Sequence, residues 1–252
     1  LAKHSASCIL SGPCTLADTD KCNRMCPSYI ALHGYTGDGG RIGAAGLPAD
    51  YRHLTVANSP AREGQAKIYR AIDAYVATFK RQFDEDYRIK SLYLYSEEPG
   101  TGKTTTAAAL LNEYLTAHYI GSLQRGTTPL ERPGYYWDIN EWQRDYNRFT
   151  RPMVPREKAE PAASRYYRAM EIAEAVPFLI ADDIGVRDAT EAFRADLHSV
   201  INKRVANGLP TVYTSNIPMA ETLQLFDARI ADRIRDMCQE LPFEGKSKRG
   251  RR

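Results

Sequence analysis

Three short stretches of this chain carry the residue types that handle phosphate chemistry. The first is Ser96-Glu97-Glu98-Pro99-Gly100-Thr101-Gly102-Lys103-Thr104-Thr105. It follows the apolar run Leu92-Tyr93-Leu94-Tyr95 and opens an alanine- and leucine-rich helical pattern through Leu111. Strand, glycine turn, Lys-Thr and helix is the layout of a phosphate loop, whose backbone N–H groups face a nucleotide's phosphates. Lys103 would reach the β- and γ-phosphates, and the Thr104 hydroxyl would ligate Mg2+. Pro99, Gly100, Thr101, Gly102 and Thr105 complete the cradle. The first glycine position of the motif holds Glu97, which brings a side chain and a negative charge close to a polyanion. That departure bears on nucleotide affinity and turnover.

The second stretch, Val176-Pro177-Phe178-Leu179-Ile180-Ala181, reads as a buried strand and ends in Asp182-Asp183. A carboxylate at the C-terminal end of a parallel strand lies beside a phosphate loop, where Mg2+ must be held. Asp182 would hold the ion, directly or through water, and Asp183 would orient or deprotonate the attacking water. The third stretch, Leu209-Pro210-Thr211-Val212-Tyr213-Thr214-Ser215-Asn216, is a further buried strand with a polar cap. Asn216 would position the water near the γ-phosphate, or would cap the next turn. These residues together describe the binding and hydrolysis of a nucleoside triphosphate.

A different chemistry gathers near the start. Four of the five cysteines, Cys8, Cys14, Cys22 and Cys26, precede a glycine-rich stretch from Gly34 to Gly46. No hydrophobic period there is long enough to bury a core, so the segment calls for a staple. Four thiolates would complete a tetrahedral zinc site, with His4 and His33 as spare ligands; free thiols and disulfides are the other readings. Cys238 stands apart and reads as a small core residue.

The elements that must position these groups follow from periodicity. Residues 1–46 form the cysteine-rich segment, 47–65 a connecting arm and 66–252 the nucleotide-handling domain. Ile68, Tyr69, Ile72, Tyr75, Val76, Phe79 and Phe83 recur at helical spacing. Strands are expected over 91–96, 135–139, 176–181 and 209–216. Helices are expected over 103–119, 140–148, 163–175 and 190–207, with a last one carrying Asp227 to Arg235. Pro152, Pro155 and Pro161 should break the chain. Arg144, Tyr146, Arg148, Phe149 and Arg151 could stack on and bind single-stranded nucleic acid, or form an amphipathic helix with a solvated basic face.

With 43% hydrophobic and 26% charged residues, the composition is that of a soluble globular protein. No apolar run reaches the roughly 18–20 residues of a membrane span, and the start lacks a signal-peptide core. No membrane association and a cytoplasmic location follow by elimination. The net charge of +3 says little about nucleic acid. The run Lys246, Lys248, Arg249, Arg251 and Arg252 suits phosphate contact or forms a disordered basic tail.

Taken together, Pro99 to Thr104, Leu179-Ile180-Ala181-Asp182-Asp183-Ile184-Gly185, Thr214-Ser215-Asn216 and Arg229-Ile230-Ala231-Asp232-Arg233-Ile234 resemble the AAA+ ATPases. The branch they resemble is that of the DnaC/DnaI replicative helicase loaders, related to the IstB transposition ATPases, of bacterial or phage type. The resemblance covers about residues 50–250. It implies a P-loop AAA+ three-layer α/β sandwich with a mostly parallel sheet and without a full helical lid. A cysteine-rich zinc segment in front is similar to the DnaI arrangement. It implies ATP and Mg2+ as ligands, Zn2+ in the first segment, and self-association that places an arginine of one subunit in the site of the next. Arg233 matches that arginine-finger position best, then Arg229, then Arg204; a solvated basic helix face is the plain alternative. A short terminal strand at Phe243 to Arg249 is also implied. The implied function is ATP-dependent loading of a hexameric DnaB-type helicase onto single-stranded DNA in replication initiation. An IstB-like transposition ATPase and an ATP-binding adaptor with weak hydrolysis are the alternatives.

Overall fold

The computed structural model describes residues 4–185, 189–224, 228–245 and 247, with the side chains of 222–224 and 228–230 outside the description. The basic residues Lys246, Lys248, Arg249, Arg251 and Arg252 also lie outside it. Along the chain, α1 (Pro27–His33), α2 (Gly40–Ala44) and α3 (Ala66–Val76) precede β1 (Ser91–Tyr95), α4 (Lys103–Gln124) and β2 (Gly134–Asp138). Then follow α5 (Ile139–Thr150), α6 (Arg156–Ala175), β3 (Phe178–Asp182), α7 (Glu191–Ala206), β4 (Thr211–Ser215), α8 (Ala228–Met237) and β5 (Cys238–Pro242). The chain forms two compact units, Leu1–Ile89 with Thr105–Tyr136, and Lys90–Thr104 with Trp137–Arg252. Among the described residues no helix is long and apolar enough to cross a membrane.

The second unit is built on the sheet strands β3-β4-β1-β5, in that order. β1 pairs in parallel with β4 and with β5, and β3 pairs in parallel with β4. Strands buried on both faces read as continuous apolar runs rather than alternating ones. Phe178 to Asp182 and Thr211 to Ser215 are buried at every position, in keeping with that rule. The order has one consequence for chemistry: β4 lies between β1 and β3, so the C-terminal ends of all three strands are neighbours.

Helix boundaries follow local side-chain bonds. The Asp138 carboxylate accepts from the Glu141 amide at 2.9 Å and starts α5, and Thr190 accepts from Phe193 at 3.2 Å and starts α7. α3 stops at Val76 rather than running to Phe83, which lies instead in a 3-10 turn. The Thr78 hydroxyl donates to the Tyr75 carbonyl at 2.7 Å and competes for a helix acceptor. Pro161 was expected to break the chain, yet it lies inside α6. The carbonyl it leaves without an amide partner belongs to Glu157, which is exposed to water. The terminal strand also starts earlier than expected, at Cys238 directly after α8, with the Phe243 amide bonded to Tyr95 O at 2.6 Å.

In the first unit α4 is the organising element. Ala107 to Leu111 and Leu115 have no exposure, and a helix apolar around most of its circumference is buried around most of it. The cysteine-rich segment was expected to bury no core, but Ile9, Leu10, Tyr29, Leu32, Ile42 and Ala45 are all buried. Hydrogen bonds tie the segment to residues distant in sequence. Tyr119 Oη on α4 donates to Ser28 Oγ at 3.3 Å, and Arg41 donates to the carbonyls of Ala31, Pro129 and Leu130 at 2.8–2.9 Å. The Tyr136 amide donates to Ala45 O at 2.8 Å.

Candidate nucleotide site

The phosphate loop follows β1 and turns on two glycines, Gly100 and Gly102, with φ of 75° and 105°. Side chains at such angles are strained, so glycine lets the backbone bend here. Lys103 is nearly buried, and its Nζ donates to the carbonyls of Ser96 and Glu98 at 3.1 and 3.3 Å. It also donates to Asn216 Oδ1 at 2.8 Å. The end of β4 is thereby tied to the loop after β1.

The end of β3 joins them. Thr104 Oγ1 donates to the Asp182 carboxylate at 3.0 Å. Thr214 Oγ1 donates to the same carboxylate at 2.7 Å and accepts the Asp183 amide at 2.8 Å. A hydroxyl beside a carboxylate is an oxygen pair suited to a hard cation, so Thr104 and Asp182 fit Mg2+. Pro99, Thr101 and Thr105 lie along the same loop and helix start, with Thr101 buried.

Asp183 stands at φ 61°, a left-handed conformation rare for a side-chain-bearing residue and enriched in Asp and Asn. Its Oδ2 accepts from Asn140 Nδ2 at 2.7 Å. Asn140 is a site residue that sequence reasoning did not find. It lies 43 positions before Asp183 and in no motif, and only the packing of α5 brings it there. Thr214 was visible as part of Thr-Ser-Asn, but its double bond to Asp182 and Asp183 was not.

Glu97 is exposed. Tyr95 Oη donates to its carboxylate at 2.9 Å. Burial, then the bond to Glu97, pushes the Tyr95 phenol up to about 12, so it keeps its proton near neutrality. The departure from the glycine motif is thus held by a local partner.

The arginines separate. Arg233 is exposed on α8 and donates to Asn202 Oδ1 on α7. Arg229 is on the same helix, with its side chain outside the described residues. Arg204 has no exposure, which corrects its place among the candidate fingers. Its guanidinium donates to Thr211 Oγ1 and to the carbonyls of Ala173, Val176 and Pro210 at 2.7–2.8 Å. It fastens the start of β4, the strand end opposite the site.

The aromatics of α5 also have a structural use. Trp142 stacks on Tyr166 with centroids 4.4 Å apart, and Tyr146 and Phe149 lie 5.5 and 5.3 Å from the same ring. These rings pack on protein rather than standing ready for bases. Arg148 and Arg165 both bind the buried Asp145 carboxylate.

In the first unit, all four early cysteines reach one cavity of about 350 Å3. They are free thiols, and among the described residues no three metal-ligating side chains are grouped so as to hold an ion. The geometry therefore does not assemble the single zinc site expected from Cys8, Cys14, Cys22 and Cys26. The spare ligand His33 is fully buried and stacks between Tyr29 and His53.

A comparison with curated proteins finds no match. Residues 146–252 match the family model "IstB-like ATP binding protein". Among solved structures, DnaI is similar with a TM-score of 0.55 at 20% identity, covering 81% of this chain and 94% of that one. The DnaC helicase loader is similar with a TM-score of 0.53 at 18% identity, covering 78% and 100%. The replication initiator DnaA bound to AMPPCP and single-stranded DNA is similar with a TM-score of 0.52 at 15% identity, covering 79% and 51%. The chain thus shares the α/β fold of these structures, and its residues 146–252 are similar to the IstB-like ATP-binding family.

Proposed function

We propose that the protein is an ATPase that loads a hexameric replicative helicase of the DnaB type onto single-stranded DNA. The observation that carries the ATPase part is the meeting of Lys103, Thr104, Asp182 and Asn216 at three adjacent strand ends. The likeness to the DnaC helicase loader and DnaI supports the loading part.

ATP phosphates would lie on the loop N–H groups and draw Lys103 away from Ser96 O, Glu98 O and Asn216. Asn216, released from that bond, would orient a water at the γ-phosphate. Asp183, held by Asn140, would take the water's proton as its oxygen bonds phosphorus and the bond to ADP breaks. Thr104 and Asp182 would hold Mg2+, which supplies positive charge against the phosphate oxygens when bound. Arg233 of a neighbouring subunit, with Arg229 as the second candidate, would neutralise charge in the transition state. ATP hydrolysis then acts as a switch for release. The first segment would grip the helicase, and the basic tail would contact DNA.

The test is size-exclusion of the full chain with the replicative helicase of its host, with and without ATP and single-stranded DNA. A complex that DNA or hydrolysis dissolves is expected. A second reading, an IstB-like partner of a transposase, is favoured by the family match over residues 146–252. ATP binding with no helicase complex under any nucleotide condition would decide for it.

A further inference from the structure

We infer, on the nucleotide reading above, that Thr214 is a positioning residue that aims both acids of the site, Asp182 and Asp183. Thr214 lies on β4 with 1% exposure. A threonine hydroxyl has one proton to give and lone pairs with which to accept. An amide N–H can only donate, so Thr214 Oγ1 accepts where it meets the Asp183 amide at 2.8 Å. Its own proton is left for Asp182 Oδ1, at 2.7 Å. Both sides of the hydroxyl are thereby fixed, and it cannot rotate without giving up a bond.

The two bonds act on different things. The bond to Asp182 is charge-assisted and so stronger than one between neutral groups. It fixes the turn of the Asp182 side chain, whose Oδ1 and Oδ2 lie 3.0 and 3.3 Å from Thr104 Oγ1. Thr104 and Asp182 are the oxygen pair suited to Mg2+, so Thr214 would act on the ion only through Asp182. The bond to Asp183 acts on the backbone. Asp183 leaves β3 at φ 61°, a conformation that persists where its surroundings over-determine it. Thr214 does so twice: its hydroxyl takes the Asp183 amide, and its carbonyl takes the next amide, that of Ile184, at 3.0 Å. Asn140 then holds the Asp183 carboxylate. Thr214 sets where that side chain starts, and Asn140 where it ends.

The experiment is to titrate Mg2+ into the full chain with a fluorescent ATP analogue, for the wild type, Thr214→Val, Thr214→Ser and Thr214→Ala, with phosphate release measured alongside. Thr214→Val keeps the branched shape and loses the hydroxyl. It should need at least about tenfold more Mg2+ for half-maximal binding. Its kcat should fall by about the same factor, with KM at saturating Mg2+ near its original value. Because Val leaves buried polar groups without that partner and can fail to fold, Ser and Ala carry the same comparison. Both lose the methyl, and they differ by the one oxygen. Ser should keep the wild-type Mg2+ requirement, and Ala should show the raised one. Equal Mg2+ requirements in Ser and Ala, with the wild-type chain binding the analogue, overturn the positioning role alone. A wild-type chain that binds no analogue at any Mg2+ concentration overturns the nucleotide reading and this role with it.

Discussion

Asp183 is held from two sides, by its strained backbone and by the amide of Asn140. A carboxylate that acts on a water needs direction, and a hydrogen bond from a neighbouring NH2 group helps fix it. Asp183→Asn should keep ATP binding and lose turnover, checked by nucleotide titration beside phosphate release. Asn140→Ala should lower kcat by about tenfold while KM stays near its original value, the pattern of a positioning residue whose effect is confined to the transition state. Lys103→Ala should abolish nucleotide binding, since its ammonium is the charge that the proposed loop would bring to the phosphates. Near-normal affinity for a fluorescent ATP analogue in that variant would refute the assignment.

At the level of elements, two packing details invert ordinary expectations. Gly to Ala inside a helix normally gains about 1 kcal/mol. A Cβ on Gly121 of α4 would stand 2.3 Å from the Phe83 ring, which also stacks near His118 and under Arg125. Gly121→Ala should therefore destabilise, by about 1–3 kcal/mol, measured by urea unfolding. Arg204 is charged yet lies in the core as a donor to three carbonyls. Arg204→Met keeps the bulk and removes the donors, so it should cost about 3 kcal/mol or more through unpaired buried acceptors. A solvated finger arginine would show little change in stability, so the same urea measurement separates the two roles.

Over the whole molecule, two buried histidines link stability to acidity. His118 is lowered from 6.5 to about 4 by burial and then by Arg41, and His33 to about 4 by burial and then by His53 and His4. His118 Nε2 accepts the Leu130 amide, so a proton there would face another N–H. The unfolded chain binds protons near 6.5 that the folded chain refuses until about 4. Stability is thus complete above pH 6.5 and falls as pH drops toward 4, by an amount on the order of a few kcal/mol. Denaturant midpoints at neutral and acid pH should show this, and His118→Gln should flatten the curve.

The residues proposed for the nucleotide site could be picked out in the chain because they sit at element ends, where a glycine turn after a strand or an acid closing an apolar run leaves a local mark. Strand and helix identities were legible for the same reason, since periodicity is a near-neighbour property. Asn140 beside Asp183, Arg204 in the core and the burial of the cysteine-rich segment left no such mark. Each depends on a partner far along the chain. The first segment has no hydrophobic period of its own because the surface it covers is supplied by α4 and residues 129–136, and only the tertiary structure brings that surface to it.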